Sequence, residues 1–504
     1  MFHIKGDDRN QTTVFPLTLE EFIAEDNPVR IIDLFIDGLD LNKLEFIATG
    51  NSIEGRPGYE PKILLKLYLY GYLNRIRTSR LLERECERNI EVMWLLGNLK
   101  PCFRTIAGFR SDNKTALKNL FKLFVQLLRS WNLIGGKTVA IDSSKFRAVN
   151  SKKNNFNPAK IERQLEYIDK RIEGYLKEME QADAVDDKEL ADTLNAGIIK
   201  QLNRKLKYND LKEQLIQTGA DQISTTDADA RSMILHGSVI EVAFNVQTVV
   251  DDKHNLIVHF DTTNKNDRKA LAGVAITTKE ILQVEELNAL ADKGYNNGEQ
   301  IHTCTENDII TYVAVQEVPR SSDIPTPEYF GDKFIYNSSE DTYTCPQGNT
   351  LTTNKNWYDK KHERYSNKVK HYKTSACKTC LVKEQCTKNK QGRLIERSEY
   401  AKAVEENNLR MKKEKHIYLQ RQCIIEHVFG TIKRQWGMDH ILMKGLEKNN
   451  GEFGLIYFCY NFRRVLNILG MEELKKRLKG WFLFIEPLTA CICANKKLAK
   501  TFSY

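Results

Sequence analysis

At 504 residues the chain is too long for one small domain and should hold two or three, with ample buried core. Its 76 Lys and Arg against 67 Asp and Glu leave a net charge of +9, modest for a nucleic-acid binder, so the clustering of basic groups matters more than their sum. Eleven cysteines without an apolar leader argue for thiols or bound metal rather than a disulfide framework, and the late run Trp481 to Cys493 is too short and too broken by Glu486 and Pro487 to span a membrane, so a cytoplasmic protein is expected.

Residues from about 16 to 135 read as helices with short loops. Leu64, Leu67, Tyr68 and Tyr72 recur at helical spacing, and Ala116 to Leu128 does the same after the start signal Ser111-Asp-Asn113. Arg75, Arg77, Arg80 and Arg110 are candidate phosphate contacts if two of these helices form a helix-turn-helix. A β-like run, Lys137-Thr-Val-Ala-Ile-Asp142, follows. Residues 157–218 then read as a charged helical hairpin. Strand patterns resume over 242–250 and 256–260, a helix is expected near 269–282, and Leu287-Asn-Ala-Leu-Ala-Asp292 reads as a further strand. That order predicts an α/β fold with a mixed sheet and helices on its faces. Basic groups gather at Lys145 and Arg147 with Lys152 and Lys153, at Lys360 and Lys361, at Lys412, Lys413 and Lys415, and at Arg463 and Arg464. Each cluster competes with an ordinary solvated face.

Three distant acids stand out. Asp142 and Asp292 each end a strand-like run, and Glu426 lies in the helix-like Gln422-Cys-Ile-Ile-Glu426-His-Val-Phe-Gly-Thr-Ile-Lys433. Asp is depleted in strands, so one at a strand end calls for a turn or a function. For Asp292 the turn competes, since Asp-Lys-Gly-Tyr is also a loop signal; for Glu426 the competitor is an ion pair within the helix. Mg²⁺ prefers octahedral oxygen coordination and is held by one or two carboxylates plus substrate phosphates, so a two-ion site needs about three acids. Two such ions, roughly 3.5 to 4 Å apart, clamp the attacking and leaving oxygens of a phosphoryl displacement.

Cys345-Pro-Gln-Gly348, Cys377-Lys-Thr-Cys380 and Cys386 lie between the second and third acids. Four thiols could bind Zn²⁺ tetrahedrally, or stay reduced and unliganded. A structural zinc would staple a Lys-rich insertion with little apolar material of its own.

These residues resemble the DDE transposases of bacterial insertion sequences, specifically the insertion-sequence-four-like superfamily and its eleven-eighty-two-type group. The likeness runs over most of the chain. It is carried by Asn27 to Asp33, Gly55 to Leu73 and Arg80 to Asn89 in the N-terminal part, and by Ala140 to Ala148, Phe244 to Asp251, Ala291 to Tyr295 and Glu426 to Lys433 in the core. The resemblance implies a ribonuclease-H-like mixed sheet core with a helical N-terminal domain and a Cys-containing insertion. The corresponding division is a DNA-binding domain over 1–135, a catalytic core over 136–470 with a helical insertion at 157–218 and a Cys-rich insertion at 320–398, and a tail over 471–504. It further implies Mg²⁺ or Mn²⁺ at Asp142, Asp292 and Glu426, cleavage and joining of transposon ends on double-stranded DNA, a homodimer in the synaptic complex, and a cytoplasmic, nucleoid-associated location. Tyr418, Arg421, Glu426 and Lys433 match the residue types of the family's Tyr-x2-Arg-x3-Glu-x6-Lys signature, which assigns Tyr418, Arg421 and Lys433 to DNA. Arg421 and Glu426 have one residue too many between them, so on a regular helix they lie about 140° apart instead of about 40°. Asn245 and Gln247 are expected either to contact DNA, to stand behind the acids, or to be plain polar positions on a half-exposed strand. The rival functions are a nuclease that cuts without joining and a zinc-stapled DNA-binding regulator without catalysis.

Overall fold

Apolar residues at helical spacing give the first part of the chain its helices. The computed structural model describes residues 18–48, 57–184, 188–315, 324–362 and 365–482; the first 17 residues, Gly55 of the motif above and the expected tail from 483 onward lie outside them. Helices α1 (Val29–Asp37), α2 (Pro61–Leu73), α3 (Ser79–Arg88), α4 (Ile90–Leu96), α5 (Phe103–Asp112) and α6 (Lys114–Ser130) come in succession. Caps fix several starts. The Thr78 side chain accepts from Leu81 N at α3, Asn89 accepts from Glu91 N and Val92 N at α4, and Pro61 opens α2, where its missing N–H leaves no bond unmade. Leu64 to Leu73 of α2 are all buried, the mark of a helix enclosed on every side.

The sheet follows, built from β1 (Thr138–Arg147), then β2 (Asn155–Phe156) and β3 (Ile223–Ser224) as a separate small ladder, and β4 (Arg231–His236), β5 (Val239–Asp251), β6 (Ile257–Thr263), β7 (Leu287–Ala291) and β8 (Ile309–Val313). Its order is β4-β5-β1-β7-β8, with β6 also paired to β5. β1 runs antiparallel to β5 and parallel to β7, and β7 is parallel to β8, so the sheet is mixed. Parallel neighbours require a crossover. Between β1 and β5 the chain makes a long excursion through α7 (Pro158–Ala184) and α8 (Lys188–Thr218), an antiparallel hairpin anchored at its base by Phe156, Ile161, Leu211 and Leu215. Helix α9 (Leu271–Leu282) leads into β7, and α10 (Gly298–Glu306) carries the chain from β7 to β8.

A second sheet, ordered β13-β12-β11-β10-β9, is made by β9 (Ile335–Asn337), β10 (Thr342–Thr344), β11 (Thr350–His362), β12 (Tyr365–Lys373) and β13 (Ile395–Ser398), with the short α11 (Lys383–Cys386) beside it. Helices α12 (Ala401–Lys413) and α13 (Lys415–Phe429) return to the first sheet, a π-helical turn spans Gly430–Gln435, and the helical run α14 (Leu446–Phe482) closes the described chain, interrupted at Gly470 with φ 72°.

One continuous apolar core runs from Ile23 to Trp481 and joins the N-terminal helices, the mixed sheet and α14. α14 presses on α6 so closely that a Cβ at Gly454 would come 2.8 Å from the Leu117 carbonyl oxygen. Phe124 of α6 and Phe458 of α14 pack with ring centroids 4.6 Å apart. A buried ion pair reinforces this junction: Arg77 donates to Glu452 at 2.6 Å, Leu442 N donates to the same carboxylate at 2.9 Å, and Arg110 donates to Tyr72 Oη at 2.8 Å. Arg77 is only 7 % and Arg110 only 6 % exposed, which removes both from the candidate phosphate contacts; their charges are spent on Glu452 and its neighbours, while Arg75 and Arg80 remain exposed. No helix among the described residues is long and apolar enough to cross a membrane.

Candidate active site

Strand register decides which acids meet. The parallel ladder between β1 and β7 ends at Ile141 and Ala291, so the next residues, Asp142 and Asp292, stand side by side where the two strands part. Neighbouring strands lie about 4.8 Å apart, which sets the scale of the gap between these backbones. Asp142 Oδ1 accepts from Ser143 N at 2.7 Å, and Arg421 of α13 donates to Oδ2 at 3.0 Å. Burial, and to a lesser degree the charge of Asp292, push the Asp142 carboxyl up to about 6, against the pull of Ser143 N and Arg421. Asp292 also serves as the turn residue that its sequence suggested: its Oδ1 accepts from Gly294 N at 2.8 Å.

A further acid is bonded to the same two strands, β1 and β5, and it is not one of the expected three. Asp267 follows β6, and its Oδ1 accepts from Asn245 Nδ2 at 2.7 Å and Gln247 Nε2 at 2.8 Å, while Lys145 Nζ lies 3.5 Å from Oδ2. Burial works to raise Asp267, but hydrogen bonds from Ser143 and Asn245, the Lys145 charge and the Gln247 bond outweigh it and hold the carboxyl low. The buried Tyr295 hydroxyl donates to Gln247 Oε1, tying the turn after Asp292 to β5. Asn245 and Gln247 are 0 % and 1 % exposed, so they belong to this buried network and not to a DNA-facing surface.

Helix α13 lies against β1, with Ile424, Ile425 and Val428 buried. The face that brings Arg421 to Asp142 carries Glu426 elsewhere: Glu426 is exposed and its Oε1 accepts from Gln422 at 2.8 Å. Five residues on a regular α-helix turn a side chain by about 140°, which accounts for the divergence. The structure therefore brings Asp142 and Asp292 together and leaves Glu426 outside. Among the described residues, no three His, Cys, Asp or Glu side chains stand at metal-coordinating separation. Lys433, on the π-helical turn, donates to the Lys145 carbonyl at 2.6 Å and sits 4.4 Å from the Phe146 ring centroid. Burial, helped by Lys145 and Arg147 and resisted by Asp439, lowers it to about 8. Tyr418 packs beside Arg421, whose guanidinium is 5.9 Å from the phenol ring centroid.

Residues 344–466 match the family model described as Transposase DDE domain, and residues 17–112 match that described as Transposase domain (DUF772). The two matches support a DDE transposase. The first runs from the end of β10 through β11, β12, β13, α12 and α13 into α14, so Tyr418, Arg421, Glu426, Lys433 and all four expected thiols fall inside it, whereas Asp142 and Asp292 do not. No curated protein matches the chain. A solved structure, a piggyBac transposase synaptic complex with hairpin DNA, is similar at 10% identity over 95% of this chain and 83% of that chain, with a TM-score of 0.31, too slight a likeness to carry an argument.

Asp267 was missed because Asn264-Lys-Asn-Asp-Arg268 reads as a polar loop. The one available signal was the pair of amides at Asn245 and Gln247: two polar side chains alternating within an apolar strand require a buried partner.

Proposed function

We propose that the chain is a transposase that cuts and joins DNA strands at the ends of an insertion sequence, of the insertion-sequence-four-like superfamily and its eleven-eighty-two-type group, on a ribonuclease-H-like core. The single observation that carries the reading is the register that sets Asp142 beside Asp292, with Asp142 held reluctant to ionise. Adjacent carboxylates in a partly dry setting call for a cation. All-oxygen donors suit Mg²⁺ or Mn²⁺, and the fit is that of a pair awaiting its third member. Bound divalent ions would supply Lewis acidity at the scissile phosphate.

Every other contribution comes from the chain. Asp142 and Asp292 present their oxygens from two strand ends; Asp267, with Asn245, Gln247 and Tyr295, holds those ends in place. Water and then the freed 3′-hydroxyl attack phosphorus in turn, each displacing a 3′-oxygen, so no nucleophilic side chain is needed. Lys433, Tyr418 and Arg421 line the approach of the terminal phosphates, and two copies of the chain hold two duplex ends. In this arrangement Arg421 takes the place of a cation on Asp142. Glu426 joins the pair when α13 turns, and the π-helical turn just after it holds the spare residue that lets a helix change phase locally.

The test is Mg²⁺-dependent nicking of duplex DNA bearing the sequences that flank the reading frame. The wild type nicks and then joins a pre-cleaved end to target DNA, while Asp142→Asn binds the end without cutting it; equal nicking by both proteins overturns the assignment. A DNA-binding regulator without catalysis is the second reading, favoured by the outward Glu426. It predicts end binding with no nicking by the wild type.

A further inference from the structure

The second sheet has too little apolar core for its length. Among the described residues, Phe334, Tyr343, Leu351, Tyr372 and Ile395 form its buried cluster, with Tyr336, Cys345 and Cys386 packed against it. A module of this size with so small a core usually depends on a disulfide or a metal. None of its cysteines is in a disulfide.

Four cysteines, three close in sequence and one well upstream, line a single cavity of about 30 Å³: Cys345, Cys377, Cys380 and Cys386. That volume admits one water-sized occupant or one ion. Each thiol stands where a strand or short helix has just ended. Cys345 follows β10 and opens a tight turn in which Gly348 N donates to its carbonyl at 2.9 Å; Cys377 and Cys380 follow β12, where Lys383 N donates to the Cys380 carbonyl at 3.2 Å; Cys386 ends α11. Turns of this kind leave the sulfur free to point inward while the backbone closes on itself. Asn349 N donates to Cys345 Sγ at 3.3 Å, a bond that strengthens as the sulfur becomes a thiolate. Gly392 abuts one of the four: a Cβ there would lie 2.6 Å from that of Cys377, so the loop after α11 can approach this thiol only because the residue has no side chain.

We infer that Cys345, Cys377, Cys380 and Cys386 are the ligands of one structural Zn²⁺ that holds the second sheet together, independently of the catalytic reading. Four sulfurs and no carboxylate among the described residues that line the cavity favour zinc over the hard cations. Each thiol gives its proton to solvent as its sulfur binds, and the ion draws the four inward to tetrahedral separation from positions that are not yet at coordinating distance. Arg393 lies against the Phe334 ring at the edge of the cavity, where its charge offsets part of the excess negative charge of four thiolates.

The experiment is metal analysis of the full chain purified under reducing conditions, followed by exchange with Co²⁺. One zinc per chain is expected, together with the intense sulfur-to-cobalt charge-transfer absorption of a tetrahedral thiolate site. The double variant Cys377→Ser, Cys380→Ser loses both, whereas Cys423→Ser, at an exposed cysteine outside the cavity, keeps both. If the double variant does not fold, the cobalt spectrum of the wild type still decides. Absence of zinc and of the charge-transfer band in the wild type, undiminished zinc in the double variant, or a Cys377–Cys380 disulfide in the freshly reduced protein each overturns the inference.

Discussion

The two sheets of this chain are stabilised in opposite ways. The mixed sheet is enclosed by helices on a core that runs from Ile23 to Trp481, and it carries the partly buried carboxylates of Asp142 and Asp267 because that core is so large. The second sheet has, among the described residues, a buried cluster of five side chains beside its four thiols. A large core can carry the strain of a functional site, while a small module needs a local cross-link to exist at all.

The largest effect should come from the junction that makes the first core continuous. Glu452→Ala leaves Arg77 and Arg110 buried without their counter-charge and should destabilise the protein by about 3 to 5 kcal/mol, read as a fall in the denaturant midpoint of the whole chain. Leu351→Ala, at a fully buried position of the second sheet, should cost about 2 to 5 kcal/mol but only locally. Hydrogen exchange would then rise across residues 335–398 with the mixed sheet still protected; a uniform loss of protection would show that the two regions unfold together.

Smaller changes sharpen the contrast. Asp142 is raised, so the unfolded chain ionises it first and stability falls as pH climbs from about 4 to about 6. At pH 7 Asp142→Asn should therefore stabilise the fold by about 1 to 2 kcal/mol while ending strand cleavage, a trade that no substitution in the second sheet reproduces. Lys433, lowered to about 8 chiefly by burial and further by Lys145 and Arg147, loses its charge as pH rises through that value. Its contribution to phosphate binding should fade in the same window, so end affinity measured from pH 7 to 9 should drop in the wild type and stay flatter in Lys433→Gln.

The pair Asp142 and Asp292 was legible because two short apolar runs each end in a residue that strands avoid, and adjacency in the sheet follows from those ends. The helical hairpin and the thiol set were legible from periodicity and spacing. The rest depended on contacts that no local pattern encodes. Arg77 and Arg110 look like surface charges until α14 brings in Glu452, which lies 375 residues beyond Arg77 along the chain. Asp267 sits in a loop that only the pairing of β5 with β6 delivers to the site. Glu426 was expected beside Asp142 and Asp292, yet helix phase turns it outward, because Arg421 and Glu426 are five residues apart and only Arg421 faces Asp142.

That last residue carries the account. Nicking of a flanking-sequence duplex by Glu426→Gln, with end binding measured in the same preparation, tests it most directly. If α13 turns to bring Glu426 to Asp142 and Asp292, cleavage falls to background while end affinity is unchanged. If Glu426 is only a surface partner of Gln422, the variant cuts as fast as the wild type, and the assignment of the three acids to one catalytic site is wrong.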